Sequence, residues 1–156
     1  MRARPRVGLA IAAAILAAPS CPVSATAEEV VELAVVVNAG NSSAVSAVDL
    51  ENIFLLKRRQ WPDGTQVIAF NGPPGEAKRR AFDSAALRLS PDEAARYWLD
   101  LRIRNGTQPP RQIGDAAVAL RLAAHLKGVI TYVPASMVNS SVRVVARIRR
   151  GKVLPP

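Results

Sequence analysis

The stretch LENIFLLKRRQWPDG, at residues 50–64, is the most informative part of this chain. Its apolar side chains recur at the spacing of one helical face, at Leu50, Ile53 and Phe54. A basic run at residues 57–59, Trp61 and a Pro-Asp-Gly turn follow, before a short apolar segment at residues 67–70. A helix, a turn and a strand in this order are typical of an α/β domain, and we interpret the chain as a binding domain rather than an enzyme.

The first residues have the pattern of an export signal. Three arginines precede an apolar stretch at residues 7–18, and small residues follow, ending in Ala25-Thr26-Ala27, which is the order of a secretory signal peptide. We predict cleavage after Ala27, so that residues 1–27 form the signal peptide and residues 28–156 form one exported domain. The domain carries a basic tail at residues 149–152.

Membrane attachment is not expected for the mature chain. The apolar stretch of the leader has about a dozen residues, whereas a membrane-spanning helix needs roughly 20, and no later segment is longer. Cys21 is the single cysteine and raises the alternative of a lipoprotein anchor, but Pro19 stands close to it, which is rare in such signals. Because Cys21 lies in the predicted leader, we expect no disulfide in the folded domain.

The chain is strongly basic, with a formal net charge of +9 at pH 7. Such a balance is compatible with nucleic acid, an anionic membrane or a small anionic ligand as the partner. For an exported chain, nucleic acid is the least expected of the three. The alternative interpretation is that the basic runs simply cover solvated faces.

Apolar runs alternate with helical patterns along the chain. We predict a buried central strand at residues 33–37, a strand at residues 129–133 and an edge strand at residues 142–148. Ser46 with Asp49, Ser90 with Glu93, and Asp115 each provide the signal that begins a helix. Strands separated by helices predict a three-layer α/β fold with a mostly parallel sheet and helices on both faces.

Several segments together resemble a known family. The helix and turn at residues 49–64, Arg79 with Phe82, Tyr97-Trp98-Leu99 and residues 128–133 resemble, in the same order, the short phosphate-transporter-type periplasmic substrate-binding proteins. The resemblance implies a single lobe of the type II periplasmic-binding-protein fold, export to the periplasm, and an oxyanion, most often phosphate, as the ligand. Where that family holds the anion with a Ser-Gly-Thr turn, this chain has Glu76-Ala77-Lys78. Glu76 would repel a phosphate, and Lys78, Arg79 and Arg80 would offset that repulsion.

Candidate site residues follow from the rule that ligands of open α/β sheets lie beyond the carboxyl ends of the strands. The candidates for ligand binding are Ser42, Ser43, Asn71, Gly75, Arg79 and Arg80. The serines offer hydroxyl groups and the arginines offer paired N–H donors to an oxyanion. The alternatives are that the serines and Asn71 form turns and that the arginines are ordinary exposed helix residues.

No catalytic, metal or cofactor site is expected. His125 is the single histidine and has no cluster of other ligands around it, and the carboxylates of Asp63, Asp92 and Asp115 are explained by turns and helix caps. Two functional hypotheses remain. In the first, the domain binds phosphate or a similar small oxyanion for ABC-type transport. In the second, it is a non-transporting accessory domain without a ligand of its own that contacts a membrane partner, such as a transporter or a sensor protein.

Overall fold

The structure is a computed structural model that describes residues 32–156. The predicted leader, the cleavage point after Ala27 and the anchor alternative at Cys21 lie outside the described residues. The strands are β1 (Leu33–Asn38), β2 (Ile68–Asn71), β3 (Arg111–Gln112), β4 (Val129–Pro134), β5 (Val142–Arg149) and β6 (Lys152–Leu154). The helices are α1 (Ala47–Phe54), α2 (Ala77–Phe82), α3 (Pro91–Asn105) and α4 (Ala116–His125), and a π-helical turn, Asp83–Leu87, extends α2.

The six strands form one sheet in the order β3-β2-β4-β1-β5-β6, with helices on both faces. In the central strand β1, the side chains of Leu33, Val35 and Val37 pack toward α1, α2 and α3, whereas those of Ala34 and Val36 pack toward α4. All five of these residues are completely buried. The predicted three-layer α/β architecture and its buried central strand are therefore confirmed.

The direction of the strands differs from the prediction. β2 runs parallel to β3 and to β4, but β1 is antiparallel to both of its neighbours, and β5 is antiparallel to β6. The sheet is mixed, so the expectation of a mostly parallel sheet is wrong for the half that contains β1. The physical reason is an additional chain reversal after α1, where Trp61 donates its backbone N–H to Thr65 and Gln60 bridges Gln66. This reversal brings the chain into β2 at the end of the sheet where β1 leaves it.

The sequence pattern did not predict the last strand, β6. β5 is not at the edge of the sheet, because the predicted basic tail turns back at Arg150 and Gly151 and continues as β6. Both turn residues have positive φ angles, +50° and +69°. Two successive residues of this kind form the turn whose twist suits a tight hairpin.

Local signals in the sequence are confirmed. Ser46 with Asp49 and Ser90 with Glu93 form complete capping boxes, and the carboxylate of Asp115 accepts hydrogen bonds from the first turn of α4. The indole of Trp61 is buried and donates to the backbone oxygen of Gly128 at 3.1 Å, which fixes the turn of residues 61–64 against β4. Among the described helices, none combines the length and the apolar character needed to span a bilayer.

Candidate functional site

The carboxyl end of β2 is held by a buried polar network. The hydroxyl group of Tyr132, on β4, donates to the side-chain oxygen of Asn71, and the backbone N–H of Gly72 lies 2.9 Å from that hydroxyl oxygen. The Tyr132 ring stacks on Phe82 with a centroid distance of 4.1 Å. Burial raises the pKa of Tyr132 well above its ordinary value, so this hydroxyl stays protonated and remains a donor. The loop after β2 therefore leaves the sheet from a rigid base.

Arg79 is a structural part of this network rather than an exposed anion ligand. Its guanidinium group donates to Asp83 at 2.6 Å and to the backbone oxygen of Gly72 at 3.0 Å. Both side chains of the ion pair are about nine-tenths buried. Burial raises the pKa of Asp83, and the nearby Arg79 opposes that rise. The expectation that Arg79 is an exposed helix residue is wrong, because its aliphatic and charged parts fill the space beneath the loop.

Arg80 and Gly75 lie at the surface beside this network. Gly75 has a φ angle of +86°, which favours glycine, and its carbonyl oxygen accepts a hydrogen bond from Nη1 of Arg80. Within the described part of the chain, Nε and Nη2 of Arg80 have no protein partner. Arg80 is therefore the cation of this region that keeps donors for a ligand.

The carboxylate of Glu76 is already compensated. Glu76 begins α2 without a capping hydrogen bond from its side chain, and it pairs with Lys78 at 2.9 Å. Lys78 also donates to the backbone oxygen of Gly114 at 2.7 Å. The expected offset of Glu76 by a neighbouring cation is thus provided by Lys78, which is itself occupied.

Ser42 and Ser43 lie at the opposite end of the sheet. β1 is antiparallel to β4, and β4 is parallel to β2, so the chain leaves β1 at the end where β2 begins. The backbone of Ser43 accepts from Arg143 at 2.6 Å and donates to the side chain of Asn41 at 2.9 Å, which is the arrangement of a turn. The structure therefore does not bring these serines and Arg80 together around one small anion.

A cleft of about 170 Å³ opens next to the loop of residues 73–75. It lies between the π-helical turn and α3, and it is lined by Pro74, Gly75, Arg79, Arg80, Asp83, Pro91, Ala94, Ala95, Trp98, Pro109 and Gln112. The loop after β2 and the end of β3 both reach it, so the cleft lies at the carboxyl ends of parallel strands. Of the predicted site residues, Gly75, Arg79 and Arg80 line it, and Asn71 supports its loop from beneath.

Two residues of the cleft were not assigned to a site by the sequence. Trp98 entered the sequence analysis only as part of the family resemblance. Asp83 was not singled out, although its position four residues after Arg79 is a signal for an ion pair on one helical face. Among the described residues, three buried side-chain atoms have no hydrogen-bond partner: Asn71 Nδ2, Asp83 Oδ1 and Trp98 Nε1. An unpaired buried donor or acceptor costs about 1–3 kcal/mol. Asp83 and Trp98 line the cleft with other atoms, whereas these two polar atoms are shielded from it.

Residues 32–156 contain no cluster of histidine, cysteine, aspartate and glutamate that could hold a metal ion. His125 is exposed at the end of α4, away from the cleft.

No protein-family model matches the chain, and no curated protein matches it. Solved structures do match. An ABC-type phosphate transport receptor from Vibrio cholerae superposes with a TM-score of 0.58 at 17% sequence identity, over 72% of this chain and 44% of the receptor. A putative phosphate ABC transporter substrate-binding protein with bound phosphate from Clostridium perfringens gives the same TM-score and identity, over 72% of this chain and 43% of that protein.

These similarities confirm the predicted fold. The described residues form an α/β domain that matches a single lobe of a periplasmic binding protein, as the resemblance implied. The chain spans less than half the length of the two receptors.

Proposed function

We propose that this chain is an exported substrate-binding domain that holds phosphate or a similar small oxyanion for ABC-type transport. The observation that carries the proposal is the position of the cleft, at the carboxyl ends of the parallel strands β2 and β3, where ligands of open α/β sheets bind. The domain shares its fold with two phosphate receptors and works, in this proposal, as a receptor in the periplasm and not as an enzyme.

The charges at the cleft support an anionic ligand. Arg80 stands at the mouth with two unused donor nitrogens, while the Glu76 carboxylate is paired with Lys78. The formal net charge of +9, of which the three arginines of the predicted leader contribute three, leaves residues 28–156 positively charged and adds a long-range attraction for anions. Because Arg79 is engaged with Asp83 and Gly72, Arg80 is the residue that we expect to contact the ligand.

Thermal unfolding with and without millimolar phosphate tests the proposal. A ligand that binds only the native state raises the free energy of unfolding by about 2.7 kcal/mol when its concentration is 100 times the Kd. We expect phosphate to raise the Tm of the wild-type chain, and Arg80→Gln to remove most of that rise. Arg121→Gln is the matched control, because Arg121 is an exposed arginine on α4 that does not line the cleft. A wild-type chain that phosphate does not stabilise, or an Arg80→Gln variant that is stabilised equally, would contradict the proposal.

A second candidate is the accessory domain that contacts a membrane transporter or sensor protein and has no small ligand. It is favoured by the extent of the match, because the chain covers only 44% and 43% of the two receptors and corresponds to a single lobe. Stabilisation by phosphate, sulfate or an organic acid would count against it.

A further inference from the structure

Helix α3 has apolar side chains on two faces. On its inner face, Ala94 and Trp98 are buried against the domain. On its outer face, Leu99 and Ile103 are 54% and 75% exposed, and they lie one helical turn apart. The other exposed large apolar side chains of residues 32–156 lie singly on separate segments of the chain. Single exposed apolar residues are common on protein surfaces, whereas a row of them on one helix indicates a packing surface.

The exposed residues Ala95, Leu99 and Ile103 follow one another every four residues and are called the outer row below. Side chains at this spacing form the ridges by which helices most often pack against each other. Ala95 also lines the cleft, so the outer row begins at the cleft and runs away from it along α3. The structure therefore provides an exposed apolar ridge that continues the surface of the candidate site.

A charged row lies beside the outer row. It consists of the exposed residues Asp92, Arg96, Asp100 and Arg104. Each of the first three precedes a member of the outer row by three residues, so the two rows are neighbours on the helix surface. Within the helix, Arg104 pairs with Asp100 at 2.8 Å. Exposed ion pairs of this kind are weak, so these side chains can exchange partners when another surface approaches.

The alternation of charge makes this face complementary to itself in one orientation. When a second copy of α3 runs antiparallel, Asp92 faces Arg104 of the partner subunit, and Arg96 faces Asp100 of the partner subunit. Two-fold symmetry repeats both pairs. The same arrangement places Leu99 near the two-fold axis, opposite its own counterpart. A parallel arrangement would instead place each charge opposite an identical one, so charge favours the antiparallel orientation.

We propose that two copies of this chain associate through the outer faces of their α3 helices, antiparallel about a two-fold axis near Leu99. A helix of 15 residues is about 22 Å long, so the contact is smaller than a standard protein interface. The dimer is therefore weak and reversible, with a Kd between roughly 1 μM and 1 mM. The proposal concerns a surface outside the cleft, and it holds whether or not the cleft binds phosphate.

Analytical ultracentrifugation of the chain purified after export tests the proposal at low ionic strength, at concentrations up to about 1 mM. We expect a monomer–dimer equilibrium for the wild-type chain. Leu99→Glu places two carboxylates opposite each other at the two-fold axis, and we expect it to raise the Kd at least about tenfold. Val48→Glu is the matched control, because Val48 lies on α1 and is 65% exposed outside the outer row. It should leave the Kd unchanged.

An exchange of charges tests the antiparallel orientation. Arg96→Asp places like charges opposite each other twice in the dimer, and we expect it to raise the Kd about tenfold. Adding Asp100→Arg to the same chain restores opposite charges at both places and should recover most of the wild-type affinity. A wild-type chain that stays monomeric at 1 mM, as it would if this face served another protein or a membrane, would overturn the proposal. A dimer that Leu99→Glu leaves intact, or that the charge exchange does not restore, would overturn it as well.

Discussion

Arg79 and Asp83 form the most buried ion pair among the described residues, with side-chain exposures of 10% and 8%. Arg79→Met removes the cation and leaves the Asp83 carboxylate without its partner, so we expect a loss of about 3–5 kcal/mol at pH 7 in urea unfolding. Arg104→Met is the matched control. Its pair with Asp100 has the same spacing of four residues, but its side chains are 73% and 51% exposed, and we expect a change of under about 1 kcal/mol.

The pH dependence of Arg79→Met gives a further check on this ion pair. Burial already raises the pKa of Asp83, and loss of Arg79 removes the cation that opposes the rise. A carboxyl group with a raised native-state pKa stabilises the fold at low pH and loses that contribution as the pH rises through the native-state pKa. The deficit of the variant should therefore shrink on acidification, and a deficit that is constant from neutral pH to pH 4 would contradict this explanation.

Gly128 is required because the backbone of Gln66 leaves no room for a side chain at this position. A Cβ atom at this position would lie 2.1 Å from the backbone oxygen of Gln66, and the carbonyl of Gly128 accepts from Trp61 and from the N–H of Ile68. We expect Gly128→Ala to cost about 3 kcal/mol in urea unfolding, because backbone on both sides has to move. Gly64→Ala serves as the control, since its φ of +84° is unfavourable for alanine but no atom lies within 4 Å of the new Cβ. About 1–2 kcal/mol is expected there, and equal losses would argue against the clash.

At the level of elements, the carboxylates in the helix caps make the free energy of unfolding depend on pH. Hydrogen bonds from Ser46 and Ser90 lower the pKa values of Asp49 and Glu93. A carboxylate with a lowered pKa stabilises the fold above its unfolded-state pKa, and this contribution disappears as the pH falls through the native-state value. We expect Ser90→Ala to cost about 1 kcal/mol at pH 7 in urea unfolding. The difference between wild type and variant should decrease below the ordinary Glu93 pKa of 4.5, and an increase there would contradict the capping box.

The elements that could be predicted from the sequence are those with a local cause. The caps at Ser46 and Ser90 act within four residues. The continuous apolar run of β1 is enough to predict that this strand is buried. The direction of β1 could not be predicted, because it depends on the reversal at residues 60–66, and β6 depends on a hairpin that only the positive φ of Arg150 reveals. The same limit applies to the site. Charge suggested Arg79 and Arg80 equally, but only packing shows that the first is buried beneath the loop and the second is exposed.

For the molecule as a whole, the sheet predicts a gradient of local stability. β1 lies between β4 and β5, and residues 33–37 are completely buried, whereas β3 and β6 form the two edges with two and three residues. We expect the amides of β1 to exchange with solvent deuterium only through global unfolding, and those of β3 and β6 through cheaper local opening. Hydrogen exchange followed by NMR measures both, and faster exchange in β1 than in β6 would contradict this topology.

The central position of β1 also constrains the order of assembly. Val36 pairs with Thr131 on one side and with Val144 on the other. The first strand therefore cannot form its hydrogen bonds until segments about a hundred residues later in the chain are available. Pairings between such distant segments close slowly. In a nascent chain that lacks residues 142–148, one edge of β1 has no partner strand. The core can therefore be completed only after nearly the whole chain has been synthesised. If the polypeptide crosses a membrane unfolded through a secretion channel, this strand order would delay folding until nearly the whole chain has passed.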